Sequence, residues 1–362
     1  MREHRCIAIQ EMMRAKKVDA VVVGPTTHMK YLLGGVPHPD ERICVLLVSQ
    51  DSVQMIAPKL NEEQIRSFTD IPLLLWEDDE GPGHALESSI VGKGKWGTVA
   101  VDGTMRADFL LAILGKRSFD RVIAADELIG SMRVKKSQEE IEALREAAQQ
   151  ADRAMEYAVK ACVPGITERG LAWEIESFFR KDGAEQVMFT LVAAGPNGAR
   201  PHHESGENRI EKGMGIIIDI GASLRGYKSD ITRVVCLGHP EGEYRKLYDI
   251  VREANERGRE AVHPGATSGE VDAVCRDFIS ESGYGDWFIH RTGHGIGLSI
   301  HELPWIMRGS DFELEAGMTF SIEPGIYIPG RFGVRVEDIV AVSDSGCETL
   351  TGFGHDLIIK EV

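Results

Sequence analysis

GMGIIIDIGASLRGYKSDITRVVCLG (213–238) decides how the second half of this chain folds. It reads as two β-branched runs, GMGIIIDIGAS (213–223) and YKSDITRVVCLG (227–238), divided by a turn at Leu224-Arg225-Gly226, and therefore as two paired strands. Asp219 follows Ile216-Ile217-Ile218, so it sits on a strand that is apolar on both faces. A buried carboxylate is costly unless it is paired, hydrogen-bonded or bound to a metal. Asp230 stands just inside the second strand, and antiparallel pairing across a short turn sets the two acids side by side. Neighbouring carboxylates repel and take up a proton unless a cation neutralises them. A surface turn with two unrelated acids is the plainer reading, and this hairpin alone does not decide between the two.

The same logic repeats nearer the C-terminus. MTFSIEPGIYIPG (318–330) and GVRVEDIVAVSDSG (333–346) read as a second strand pair, with Glu323 in one strand and Glu337 in the other. Two acid-bearing hairpins facing each other make a cluster of carboxylates. HRTGHGIGLSIHE (290–302) adds His290, His294 and His301 among glycines, which let the backbone approach a site closely. Carboxylates with an imidazole form a hard, oxygen-rich set that suits Mn²⁺, with Co²⁺ or Zn²⁺ as alternatives, over a thiolate-bound metal. AAGPNGARPHHESG (193–206) is a loop by its Gly, Pro and Asn content, and its His202 and His203 either reach over such a centre or stand in solvent.

Around these segments, 168–183, 243–265 and 269–283 read as helices stopped by Gly or Pro-Gly. A longer amphipathic helix runs through 132–162, opened by a Ser137/Glu140 capping box, with Ile141, Leu144, Ala148, Ala151 and Met155 near helical spacing. Strand pairs with helices grouped on one side predict an α+β domain built on an antiparallel sheet. Upstream, VDAVVVG (18–24), RICVLLVS (42–49), SVQMIAP (52–58), WGTVAVDG (96–103) and RVIAAD (121–126) read as strands, and the opening segment and ADFLLAILGK (107–116) as helices, which is an α/β pattern. A chain of 362 residues exceeds the usual reach of one core. The basic cluster before the long helix divides it into an α/β N-terminal domain, 1–132, and an α+β C-terminal domain, 133–362.

The net charge of -16 repels phosphate backbones and anionic membrane faces, so nucleic acid and membrane are excluded as partners. The six cysteines are scattered, with no C-x-x-C pair, which fits reduced thiols in a cytoplasm. The N-terminus lacks an apolar signal core and no stretch is long and apolar enough to span a bilayer; the expected location is cytoplasmic.

DIGASLRGYKSDITR, HRTGHGIGLSIHE, SIEPGIY and GVRVED resemble, in that order, the signature segments of the pita-bread (creatinase/aminopeptidase-fold) metallopeptidases. Within that family the resemblance is to the proline-specific branch, Xaa-Pro dipeptidase (prolidase) and Xaa-Pro aminopeptidase. It runs from about Ser137 to the end, and the element order upstream is similar to the creatinase N-terminal-like domain. The resemblance implies two divalent metal ions per subunit, held by Asp219, Asp230, His294, Glu323 and Glu337, in a homodimer acting on small peptides. All five positions keep the family's residue type, whereas creatinase has the fold without the metals. It implies further that His202 contacts substrate, that His290 and His301 stabilise the reacting carbonyl, and that Arg335 stands near the metals. Tyr227 would face substrate, and Phe189 would lie in the proline pocket.

The scissile Xaa-Pro bond is a tertiary amide whose nitrogen has no hydrogen to donate. A hydroxide bridging two cations does not depend on that donor, and Glu323 would shuttle its proton to the leaving nitrogen. The alternatives are a Xaa-Pro aminopeptidase acting on longer peptides, a non-peptide C–N hydrolase or lyase of the same fold, and a non-catalytic scaffold, against which the intact ligand set counts. GGVPHPDERIC (34–44) resembles a loop of bacterial prolidases that approaches the partner subunit's active site. Arg42, or a cationic His38, would cap the carboxylate of a dipeptide there; the alternative is an ordinary charged loop.

Overall fold

The computed structural model describes residues 2–89, 96–116 and 119–361, and divides into two units, Met1–Arg133 and Val134–Val362. In the first unit the β-branched runs form strands β1 (Ala20–Val23), β2 (Val45–Ser49), β3 (Val53–Pro58), β4 (Leu73–Trp76), β5 (Thr98–Val101) and β6 (Arg121–Ala124). They make one sheet in the order β4-β3-β2-β1-β5-β6. The β1–β2 and β2–β3 pairs are antiparallel and the others parallel. Val22, Leu47, Ile56 and Val99 pack with Phe109 and Ile113 of the helix Ala107–Leu114. Strand β4 and the helix Thr27–Leu33 are elements that the apolar pattern does not single out.

The second unit opens with the helix Gln138–Ala161, whose first turn is closed by reciprocal hydrogen bonds between Ser137 and Glu140. Helices Glu168–Lys181, Gly242–Glu260 and Ser268–Glu281 follow. The strands are β7 (Gln186–Ala194), β8 (Gly215–Leu224), β9 (Tyr227–Lys228), β10 (Ile231–Leu237), β11 (Gly293–Gly295), β12 (Glu302–Ile306), β13 (Thr319–Ile322), β14 (Gly325–Ile328), β15 (Phe332–Arg335), β16 (Asp338–Ser343), β17 (Gly346–Thr349) and β18 (Ile358–Lys360). One sheet runs β18-β10-β8-β7, with β9 also on β8; a second runs β12-β11-β13-β16-β17; β14 and β15 pair as a separate ribbon. Every pair is antiparallel except β10–β18, so the predicted antiparallel sheet carries one parallel edge.

Strand β8 explains its own composition. Ile216, Ile218 and Ile220 pack beside Ala151, Met155, Leu171 and Ile175 of the first two helices. Ile217 points the other way, into a core shared with Leu247, Val251 and Val271. By the two-residue period of a strand, Asp219 shares the Ile217 face and so projects toward the second sheet.

The two long C-terminal runs do not form two continuous strands. Each breaks in the middle: β13 ends at Ile322, β14 starts at Gly325, β15 ends at Arg335 and β16 starts at Asp338. The inner halves pair as the ribbon, while the outer halves join the second sheet, where Ile322 pairs Asp338. Pro324 supplies one cause, since it has no N–H for a ladder. Asn255 bridges both breaks, donating to Ile322 O at 2.9 Å and Val336 O at 3.3 Å. Glu323 and Glu337 occupy these breaks, and Asp230 occupies the gap between β9 and β10. Among the described residues no helix is long and apolar enough to cross a membrane, and the six cysteines are free thiols.

Candidate metal centre

Asp219 lies directly opposite Thr232 in the β8–β10 pairing. Asp230 is two residues before Thr232, so it stands diagonally beside Asp219 on the same face. An isolated bridge between Thr232 and Glu337 brings the second sheet's break against the first hairpin. Thr232 also donates its hydroxyl to Glu337 Oε2 at 2.6 Å. The sequence-predicted carboxylates Asp219, Asp230, Glu323 and Glu337 therefore meet, together with His294, at one wall of a cavity of about 960 Å³.

His294 is carried by β11, wedged between β12 and β13. The flanking glycines are required by that wedge: a Cβ on Gly293 would fall 1.8 Å from Ser321 O, and one on Gly295 would fall 2.1 Å from Leu303 O. His294 Nδ1 donates to Gly295 O at 3.1 Å. Its other nitrogen, Nε2, is thereby left as a lone-pair donor, 3.3 Å from Glu323 Oε1 and 3.7 Å from Asp230 Oδ2. Burial, then His301, push its pKa down to about 3, so the ring is neutral at ordinary pH.

The acids are shifted the opposite way. Burial, followed by Glu337, Asp219 and Glu323, raises Asp230 well above the usual carboxylate range. Burial, with Glu323 and Asp219, does the same to Glu337. Burial raises Glu323 to about 7 against the pull of Arg335. Asp219 Oδ1 is buried and, among the described residues, without a hydrogen-bond partner. A neutral imidazole, a buried carboxylate oxygen with no donor and three acids that the chain cannot hold ionised together fit a site for hard divalent cations. Single oxygen or nitrogen atoms of Asp230, His294 and Glu337 lie within 4.8 Å of one another.

Arg335 is buried and charged: burial alone would lower its pKa, but Tyr327, Asp219 and the glutamates outweigh that. It donates to Asp219 Oδ2 at 2.5 Å, to the Tyr327 hydroxyl at 2.7 Å and to Thr232 Oγ1 at 3.1 Å. The Tyr327 hydroxyl lies 2.9 Å from His290 Nε2, and His290 Nδ1 lies 2.7 Å from Arg291 O. A carbonyl only accepts, so the proton of the neutral ring is on Nδ1 and Nε2 accepts from Tyr327. Burial, then Arg335, lower His290 to about 4, which keeps it neutral. Both its nitrogens are thus engaged, and the ring has no donor left for a reacting carbonyl. His301 differs: its ring stands edge-on to His294 at 4.1 Å between centroids, and among the described residues it makes no side-chain hydrogen bond.

His202 and Phe189 line the cavity, Phe189 lying across from Gly221 on β8. Tyr227 does not line it. Its hydroxyl donates to Glu140 Oε1 at 2.8 Å and its ring packs beside Ile141 and Leu144, because β9 turns that side chain toward the long helix. Arg42 lies in the other unit, where its guanidinium binds Asp78 at 2.9 and 3.0 Å and Asp40 and Glu41 at 3.1 Å, so its donors are spent on neighbouring acids.

Four further residues matter that the sequence reading passes over. Thr232 was findable as the next residue on the Asp230 face, and Tyr327 as the residue two after Gly325 in the broken strand. Arg291 lines the cavity, with its guanidinium 4.3 Å over the Trp305 ring and, among the described residues, no hydrogen bond or ion pair. Glu168 looks in sequence like an ordinary first-turn acid behind the Thr167 cap, yet its side chain is fully buried.

Comparison with known proteins agrees along the whole chain. The model of metallopeptidase family M24 matches residues 142–344, and that of the creatinase/prolidase N-terminal domain matches residues 5–135. A probable dipeptidase PepE of Mycobacterium tuberculosis is 35% identical over 348 residues, 94% of this chain and 92% of that protein. A Xaa-Pro dipeptidase of Pyrococcus furiosus is 33% identical over 357 residues, 98% of this chain and 100% of that protein. The crystal structure of a recombinant prolidase from Thermococcus sibiricus superposes with a TM-score of 0.94 at 37% identity, covering 99% of each chain.

Proposed function

This chain belongs to metallopeptidase family M24, and from that premise we propose that it is a metal-dependent Xaa-Pro dipeptidase. The observation that carries the reading is the convergence of Asp219, Asp230, His294, Glu323 and Glu337 on one cavity, where burial and mutual repulsion raise three of the acids and bound cations would relieve that repulsion. These five residues would hold two divalent ions, Mn²⁺ by preference, which when bound supply a water of lowered pKa and polarise the scissile carbonyl.

The chain's own groups complete the chemistry. Glu323, which lines the cavity, is the acid we assign to take a proton from the attacking water and pass it to the proline nitrogen, a poor leaving group until protonated. His301, whose ring is free to donate, stabilises the developing oxyanion. His290 holds Tyr327 and the Arg291 carbonyl in place. Phe189 offers the proline ring an apolar wall. Arg291 supports the restriction to dipeptides: an arginine that makes no ion pair among the described residues, in a cavity of an acidic chain, is matched to a substrate's free carboxylate. Arg42 is less suited, its donors being occupied. A homodimer in a reducing cytoplasm belongs to the same proposal.

A panel of Xaa-Pro dipeptides and Xaa-Pro-Yaa tripeptides, assayed with added Mn²⁺, Co²⁺ or Zn²⁺, tests the reading. Dipeptides should be cleaved and tripeptides spared, and Arg291→Ala should raise KM for dipeptides about tenfold. Equal cleavage of tripeptides makes the enzyme an aminopeptidase instead.

A further inference from the structure

Glu168 lies outside the carboxylate cluster and touches no group assigned to the reaction. Its side chain is fully buried, and among the described residues the one titratable side chain bonded to it is His203, whose Nε2 lies 2.8 Å from Oε2. Five donors converge on it. Ala194 N–H at 2.8 Å, Asn197 Nδ2 at 2.9 Å and Asn208 Nδ2 at 3.3 Å reach Oε1. His203 at 2.8 Å and Gly206 N–H at 3.1 Å reach Oε2. Burial opposes the charge, but these donors outweigh it and hold the carboxyl below its usual pKa range. A carboxylate has about four lone-pair sites, so this one is saturated.

All five donors come from 194–208, the last residue of β7 and the start of the connection to β8 that carries His202. His202 lies between Pro201 and His203, exposed at the cavity, and among the described residues makes no side-chain hydrogen bond. Its location is therefore set by its neighbours. The backbone gives modest help: His203 N–H donates to Arg200 O at 3.2 Å, and Arg169 N–H to Gly206 O at 2.9 Å. Among the side-chain ties of this loop, the bond from His203 to Glu168 lies nearest to His202 in sequence.

We propose that Glu168 is a positioning residue, a buried clamp that folds the 194–208 loop around one carboxylate and so presents His202 to the substrate. This rests on the reading of His202 as a substrate contact. The carboxylate needs both oxygens as acceptors. Glu168→Gln keeps the shape but turns one acceptor into a donor facing N–H groups, so it breaks the clamp without leaving a hole.

Hydrogen exchange of the metal-loaded full-length protein, read by mass spectrometry, is the direct test. In Glu168→Gln, peptides spanning 195–208 should exchange at least about tenfold faster while β13 and β16 keep their protection. Unchanged protection in the loop, or an equal loss everywhere, overturns the proposal. Kinetics on a Xaa-Pro dipeptide give a second readout. Glu168→Gln should shift kcat and KM in the same proportions as His202→Ala, and the double variant should fall within about twofold of His202→Ala alone. Multiplying losses would show that the two residues act independently, and would overturn it. If His202→Ala keeps full turnover while the loop still loosens in Glu168→Gln, the reading of His202 fails and the clamp stands. Should Glu168→Gln not fold, Asn197→Ala with Asn208→Ala removes two donors, and the same loop must exchange faster or the clamp is wrong.

Discussion

Glu337 and Asp338 are adjacent, both are buried, and they live in opposite electrostatic worlds. Asp338 faces Arg233 Nη2 at 2.8 Å, His355 Nε2 at 2.7 Å and the Thr351 hydroxyl at 2.9 Å. Burial opposes its charge, but Arg233 and His355 hold its pKa far below the carboxylate range. Glu337, one residue earlier and so on the other face of the chain, accepts from Thr232, and burial with Glu323 and Asp219 outweighs the pull of Arg335 on it. Asp338 is a finished ion pair that ties Phe353 and Gly354 to the sheet through Arg233. Glu337 belongs to a group that needs charge from outside the chain. One dipeptide thus shows what separates a structural buried acid from a ligand: whether the fold supplies the cation.

Breaking each side should give different failures. Glu337→Ala should cost the most activity, on the order of 10³-fold or more in kcat/KM, with loss of bound metal measured by elemental analysis. In chelator its thermal midpoint should match or exceed that of the wild type, because a repelled carboxylate has been removed. Full turnover in that variant would sink the two-metal reading. Asp338→Asn should instead lower stability by about 3–5 kcal/mol in urea unfolding, since Arg233 is left buried without its acid. Its pH signature follows from the sign of the shift. A depressed pKa means that stability is present above the unfolded value and is lost as pH falls, so wild type should lose its advantage over Asp338→Asn on acidification below about pH 4.

How much of this was readable beforehand follows from the same contrast. The acids at 219, 323 and 337 stand out because each follows an apolar run, and Asp230 because the hairpin sets it beside Asp219; a buried charge is an anomaly that needs a cause. Both acids of Glu337-Asp338 sit on that pattern, however, and the run cannot say which meets an arginine, because Arg233 reaches Asp338 from the other sheet, beside the isolated Thr232–Glu337 bridge. The strand breaks were hidden for a similar reason. Alternation continues through Glu323 and Glu337, and only the exchange of partners at Pro324 and Val336 ends the ladders. Tyr227 misleads because position beside Asp230 suggests the cavity, whereas the pleat turns it to Glu140. Glu168 is invisible in sequence, since its donors come from a loop whose shape it creates.

A smaller effect should separate metal-free from metal-loaded protein. Raised folded-state pKa values at Asp230, Glu323 and Glu337 mean that the folded chain binds more protons there than the unfolded one, so stability falls as pH rises toward those values. His290, His294 and His301 are shifted down and oppose this at lower pH. Above about pH 6.5 they are neutral in both states and drop out. Between about pH 6.5 and 8 the chelated protein should therefore lose thermal stability, and Mn²⁺ should flatten the slope. A flat profile without metal would show that the acids are neutralised by something within the chain.

The smallest effect concerns the two buried arginines behind the two acids. Arg233 gives its donors to four carbonyls, Thr232, Glu337, Phe353 and Gly354, besides Asp338, so the loss of any one carbonyl is shared among the rest. Arg335 has Asp219, Thr232 and the Tyr327 hydroxyl, and that hydroxyl alone joins it to His290. Tyr327→Phe keeps the ring's packing and removes only this link. It leaves one N–H of Arg335 and one lone pair of His290 unsatisfied, a cost of about 1–3 kcal/mol if both stay buried. Asp219 stays paired, so metal content should be unchanged. The kcat should fall by about tenfold or less, through freer motion of the His290 ring and the Arg291 carbonyl it holds. Loss of metal, or a fall as deep as that of Glu337→Ala, would mean that Tyr327 supports the ligand set itself rather than the residues behind it.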